Sequence, residues 1–320
     1  MFVISGVDDK FWNQFEFIEY LVANQHKVIE LSIVSEAIDL ENLGVYKLLD
    51  LFDFEQVIIK TWNPLEKHSQ YKINFQGPTF CFNKNNYNGL KYVVDIDPKL
   101  HCWNQEKIFM CLYGRPNAGR LALASVLNEK YPNQSTIHFS CNTSDNSLIQ
   151  FEFDKLLSYD IHTMEFAAKL LKYLPILQSS KDRYTQFNGY DYNDPLTKLY
   201  KNIFVDIVGE THVMGRTFFP TDKTTRPMLL KKPFIIFASR NHLTYLRQMG
   251  FQTFHDFWDE DYDGYETRDR LLKIYQIIDD LATRPIDKLV AMYQKMQPIL
   301  DHNYNLLINQ TYSTTVTEVI

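Results

Sequence analysis

Short apolar runs of strand length alternate with amphipathic helical runs along this sequence. That alternation predicts an α/β fold of two Rossmann-like domains facing a cleft, with C-terminal helices packing back on them. Three observations carry the expectation. Strand-type runs at residues 2–6, 26–32, 56–61 and 92–96 fill the first third of the chain. A second series at 108–112, 136–140, 204–208 and 233–238 is interleaved with polar loops and helical runs, the order expected of a parallel sheet. The length, 320 residues, accommodates two domains of ordinary size. The expected division is 1–104, 105–310 and a loose tail at 311–320.

Taken in order, residues 2–6 read as a buried strand ending in Gly6, followed by Asp8, Asp9 and an aromatic helical run over 11–23. Residues 40–51 are amphipathic. Residues 62–90, rich in Asn, Lys, Gly and Pro, read as loops, and 98–106 as the crossover between domains. After the strand at 108–112 comes a Gly/Pro/Asn loop over 113–119 and a helix over 120–129. The stretch 143–195 gives a helix near 166–174 and a Tyr-rich loop over 179–194. A short helix at 196–202 leads into the strand at 204–208. Helices follow at 243–249, closed by Gly250, then at 268–282 and 286–308.

Hydrophobic residues make up 45% and charged residues 22% of the chain, as in a soluble globular protein with an ample core. The formal net charge of −6 disfavours a broad DNA-binding surface without excluding a local basic groove. Cys81, Cys102, Cys111 and Cys141 form no CxxC pair and read as reduced thiols of a cytoplasmic protein. No basic leader and no apolar run of membrane-spanning length stands in the sequence.

Chemistry-bearing residues crowd the loops that follow strands. In YGRPNAGR, Arg115 and Arg120 flank a β-to-α turn, where backbone amides and the helix dipole favour an anion and Arg adds a bidentate fork. The same arginines serve equally as turn caps. In TDKTTRP, Thr221, Asp222 and Lys223 open a helix and Arg226 lies one turn on. A carboxylate beside an ammonium suits a ribose next to a pyrophosphate, and ordinary N-capping is the alternative. Glu210, Thr211 and His212 directly follow an apolar strand, with Glu210 the stronger candidate for contact with a ligand. Asp8 and Asp9 are either a general base for an acceptor hydroxyl or an N-cap pair. Asp259, Glu260, Asp261 and Asp263 read as a solvated acidic face, and no metal site is expected.

Two stretches resemble the donor-binding domain of fucosyltransferase-type glycosyltransferases of GT-B architecture: CLYGRPNAGRLALASVLN and VGETHVMGRTFFPTDKTTRPMLLKKPFIIFAS. The ending GFQTF resembles small glycosyltransferase-like proteins of bacteriophages and large viruses, whose setting is the host cytoplasm. The resemblance implies a GDP- or UDP-linked sugar donor as co-substrate and no cofactor. It implies that Arg120 and Lys223 meet the pyrophosphate, Asp222 the ribose, and that Glu210 lies near the sugar. The family's usual Glu is Asp222 here, and His212 stands near its usual Asn. The implied reaction is transfer to an acceptor hydroxyl, inverting and metal-independent, on a glycan. A phage-type alternative modifies hydroxymethylated DNA bases through a groove bearing Lys60, Lys67, Lys72, Lys84 and Lys91. A binding protein that keeps the fold without catalysis is the third reading.

Overall fold

The structure, a computed structural model, describes residues 1–5, 14–34, 37–76, 98–140, 146–159, 161–178 and 195–319. Asp8, Asp9, Cys81, Lys84, Lys91 and Cys141, the expected strand at 92–96 and the loop at 179–194 lie outside the described residues.

Two four-stranded parallel sheets form the framework, as the alternating pattern requires. The first runs in chain order: β1 (Phe2–Ser5), β2 (Val28–Val34), β3 (Gln56–Thr61) and β4 (Lys72–Phe75). α1 (Gln14–Ala23) and α2 (Val45–Leu49) connect its strands. In β3 every second residue is buried, since Val57, Ile59 and Thr61 face the core. Ile4, Phe17, Leu31, Ile33, Leu49 and Ile59 belong to one apolar cluster.

The second sheet has the order β6-β5-β7-β8. Its strands are β5 (Lys107–Tyr113), β6 (Ser135–Phe139), β7 (Ile203–Gly209) and β8 (Phe234–Phe237). Every residue of β7 is buried, the signature of a central parallel strand covered on both faces. The covering helices are α3 (Ala118–Lys130), α4 (Asn146–Tyr159), α5 (Ile161–Leu171), α6 (Pro195–Lys198), α7 (Asp222–Leu229) and α8 (His242–Gln248). The amphipathic pair α9 (Thr267–Thr283) and α10 (Ile286–Asn309) completes the cover. From β5 the chain steps outward to β6 and then returns to the opposite side of β5 as β7. Strand order therefore reverses between β5 and β7, and in parallel α/β sheets the loops at the C-terminal ends of such strands are the usual place of a ligand crevice.

Two elements depart from the sequence expectation. β4 lies inside the stretch read as loops; its four residues, paired among the described residues with β3, carry too short a period to register. α4 has no counterpart in the sequence expectation, which places a helix in this stretch only near 166–174; polar residues such as Gln150 and Asp154 dilute its apolar stripe.

The sheets meet through loops at the C-terminal ends of their strands. Ala37 follows β2 and its carbonyl accepts from Thr217 Oγ1. Asn63 follows β3 and its Nδ2 donates to Arg216 O at 2.9 Å. Asp39 accepts from Arg216 N, and Trp62 packs 6.1 Å from Phe219 between ring centres. Gly215 permits this approach. Its φ is +75°, and a side-chain carbon there would come within 2.7 Å of Asp39 Oδ2. The segment read as a loose tail holds specific contacts: Tyr312 stacks on Phe251, Thr317 exchanges hydrogen bonds with Gln248, and Glu318 pairs with Lys67 and Arg216.

Candidate functional site

The residues singled out in the sequence gather at the C-terminal ends of β5 and β7, where strand order reverses. Asn117 joins the two loops. Its Oδ1 accepts from Arg120 N at 2.8 Å and caps α3, while its Nδ2 donates to Glu210 O at 3.0 Å. Arg120 is buried, donating from Nε to Gly209 O at 2.9 Å and from Nη1 to Arg115 O at 2.8 Å. Gly209 makes room for it: a side-chain carbon there would lie 2.8 Å from Arg120 Cγ. The guanidinium thus lies under the end of β7, one residue before Glu210. Arg115 and His212 stand part-exposed at the rim.

Glu210 is 1% exposed and is the hub of the second loop. Its Oε1 accepts from Thr221 N at 3.0 Å and Thr224 Oγ1 at 2.6 Å. Its Oε2 accepts from Thr221 Oγ1 at 2.6 Å and Thr211 N at 3.3 Å. Burial raises the pKa of this carboxyl, but Lys223, His242 and the threonine hydroxyls outweigh it and leave the group below the ordinary glutamate value. A carboxylate with four donors and a lowered pKa is suited to holding a turn and poorly suited to accepting a proton. What it holds is the start of α7, whose N-cap Thr221 also accepts from Lys223 N.

Lys223 and Asp222 project beside this anchor. Lys223 Nζ donates to Thr221 Oγ1 at 3.1 Å, Asp222 Oδ1 at 3.2 Å and Thr211 Oγ1 at 3.5 Å, with the side chain 20% exposed. Asp222 also accepts from Arg226 Nη2 at 3.1 Å. Burial raises the Asp222 pKa, yet the two cations hold it well below the carboxylate range. Arg226 turns inward and is 4% exposed. Burial works against its charge, but Tyr200, Asp222 and Asp206 raise its pKa on balance. Asp206, in the middle of β7, accepts a hydrogen bond from Tyr200 and is pushed up to about 6 by burial, with Arg226 and Tyr200 pulling down. The structure therefore brings Arg120, Glu210, Thr211, Thr221, Asp222 and Lys223 together and directs Arg226 into the core below them.

Three residues that sequence reasoning passed over complete the site: Asn117, Thr224 and Glu152. Glu152 reaches from α4 to accept from Ala118 N at 3.0 Å, so the chain's own carboxylate occupies the α3 start read as an anion position. The same device recurs at α8. Asp263 there accepts from Leu243 N at 2.9 Å, Thr244 N at 2.9 Å and Thr244 Oγ1 at 3.1 Å. The acidic segment is accordingly not a solvated face throughout. Asp259 and Asp261 are exposed, whereas Asp263 and Glu260 are buried, the latter accepting from Arg247 Nη1 and Phe254 N. Only the approach of α8 in three dimensions draws these two acids inward.

Lys60 is paired with Glu30 at 2.6 Å, and Lys67 with Glu318. Among the described residues no three His, Cys, Asp or Glu side chains stand together as a metal-ion site, and no helix is long and apolar enough to cross a membrane. Comparison of the chain with protein-family models, with curated proteins and with solved structures gave no match.

Proposed function

We propose that the chain is a glycosyltransferase of GT-B type, moving a sugar from a nucleoside diphosphate sugar to an acceptor hydroxyl with inversion. The observation that supports it is the pairing of two loops at the point of strand-order reversal. Those after β5 and β7 stand side by side where strand order reverses, and the loops after β2 and β3 of the other sheet face them. In this reading the acceptor oxygen bonds to the anomeric carbon while the bond from that carbon to the diphosphate oxygen breaks. The electron pair leaves with the diphosphate. Lys223 meets that charge directly, and Arg120 lends its positive field from beneath Gly209. Asp222 accepts from the ribose hydroxyls. Glu210 keeps the turn in place, and the acceptor's proton passes to Asp8 or Asp9, which follow β1 in the sequence.

Thermal shift against GDP, UDP, ADP, CMP and their sugars tests the reading, because a ligand of the folded state raises its stability. One nucleoside diphosphate is expected to raise Tm, and its sugar to release that nucleotide in the presence of an acceptor. A panel with no stabilising member contradicts the proposal.

One observation favours a second reading, a binding protein without turnover: Glu210, the acid that follows β7, is held by four donors and kept below the ordinary glutamate value, which suits it poorly to proton transfer. Binding without nucleotide release from any sugar donor would select it. The DNA-modifying alternative draws on Lys60 and Lys67, which are spent on Glu30 and Glu318. Its mark is duplex binding that falls steeply with salt.

A further inference from the structure

Beneath the segment joining β7 to α7 lie two buried basic side chains that the donor reading does not use. Arg270, on the inner face of α9, and His242, the first residue of α8, are each 2% exposed. Arg270 Nη2 donates to Val213 O and Thr267 Oγ1, both at 3.3 Å. Its Nε and Nη1 have no hydrogen-bond partner among the described residues, and neither ring nitrogen of His242 has one. The acids nearby are engaged elsewhere: Asp263 caps α8, Glu266 accepts from Arg240, and Glu210 holds α7. The walls are apolar, with Phe218 centred 5.1 Å from the His242 ring and Phe237 centred 5.6 Å from the Arg270 guanidinium carbon.

We propose that His242 and Arg270 form an interior oxyanion site, taking a phosphoryl group beneath residues 211–219 on the same sheet edge as Lys223. Chemistry selects the ligand. Nε and Nη1 lie on different edges of the guanidinium and Nη2 is engaged, so Arg270 offers an oxyanion a single N–H donor together with its full positive charge, and the His242 ring offers a second donor. A dry apolar wall strengthens that attraction. A water molecule would answer one or two hydrogen bonds and none of the charge. Burial holds His242 below the ordinary imidazole value, with Glu210 and Asp263 working against burial and Arg270 with it. An arriving oxyanion reverses that balance and draws a proton onto the ring. The covering segment is pinned from the other sheet through Asp39 and Asn63, so access is coupled to the contact between the two sheets.

The phosphoryl group could come from free phosphate or from the terminal phosphate of a nucleotide, and the experiment separates them. Calorimetry is run with inorganic phosphate, and separately with UDP and GDP, at constant ionic strength with chloride as control. The proteins are the unmodified chain, Arg270→Met, His242→Phe and Lys223→Ala. Inorganic phosphate is expected to bind the unmodified chain and Lys223→Ala alike. His242→Phe and Arg270→Met are each expected to weaken it by roughly tenfold or more. Binding of the nucleotides alone, with the same dependence on His242, identifies the terminal phosphate of a nucleotide as the source. His242→Phe keeps an aromatic ring against Phe218 and decides the matter if Arg270→Met does not fold. No binding of either probe, or equal affinity in His242→Phe, overturns the site and leaves a buried water there.

Discussion

Replacing Glu210 by Gln separates its role as an anchor from a role in proton transfer. The carboxylate accepts four hydrogen bonds, two at each oxygen. An amide retains one oxygen and presents an NH2 group where the other stood. The two donors on that side lose their acceptor, and the attraction between Glu210 and Lys223 disappears. Bonds to a charged acceptor contribute ~1.5–3 kcal/mol each, and the longest here, at 3.3 Å from Thr211 N, lies at the weak end. The expected loss is about 3 kcal/mol in global stability. Because the donors belong to Thr211, Thr221 and Thr224, the start of α7 loosens, and nucleotide affinity falls with it. Urea unfolding gives the first quantity and calorimetry with the stabilising nucleotide the second. A Glu210→Gln protein of unchanged stability and unchanged nucleotide affinity, yet without transfer, would refute the anchor role and make Glu210 the proton carrier.

Further consequences follow from other buried groups. Lys232 is fully buried, donates to Cys102 O and Tyr293 Oη, and is pushed down from 10.5 to about 7 by burial. Between those values the unfolded chain holds a proton that the folded chain does not, so stability rises with pH through that window, by about 5 kcal/mol at most. Urea midpoints at pH 6, 7.5 and 9 should climb, and Lys232→Met should flatten the climb; a midpoint that falls with pH contradicts the burial argument. Asp263→Ala leaves two amides at the start of α8 without an acceptor and is expected to cost about 2 kcal/mol, with faster hydrogen exchange at Leu243 and Thr244. Glu318→Gln breaks pairs whose basic partners are well exposed, 63% for Lys67 and 38% for Arg216, and should change stability by less than ~1 kcal/mol. A larger cost would make the C-terminal segment a strap between the two units.

The second sheet was legible in the sequence because its strands are continuous apolar runs bounded by turn residues, and β7 and β8 begin and end within a residue or two of the apolar pattern. β4 was not, since a strand of four residues that half-faces solvent has no period to display. At the site, position did the work: residues immediately after a buried parallel strand lie at the sheet's C-terminal edge whatever their type. Glu210 and Thr211 lie at that edge for this reason, while Arg120 and Lys223, farther along the chain, are brought to it by the starts of α3 and α7. Glu152 and Asp263 were not legible, because each acts on a helix start that is distant in sequence, 34 residues away for Glu152. No local pattern marks an acid that will be buried by a partner arriving from elsewhere in the chain. Arg226 shows the converse. Its spacing from Asp222 is that of a helical ion pair, and Asp206 on β7 turns the guanidinium inward.

The central claim is that the β5 and β7 loops hold one diphosphate between them, with Lys223 as its direct contact. Calorimetry of the stabilising nucleoside diphosphate on the unmodified chain and on Lys223→Ala measures it. Loss of one charge-assisted contact predicts affinity roughly 10- to 100-fold weaker in Lys223→Ala, with an unchanged urea midpoint. Equal affinity in the two proteins contradicts the claim.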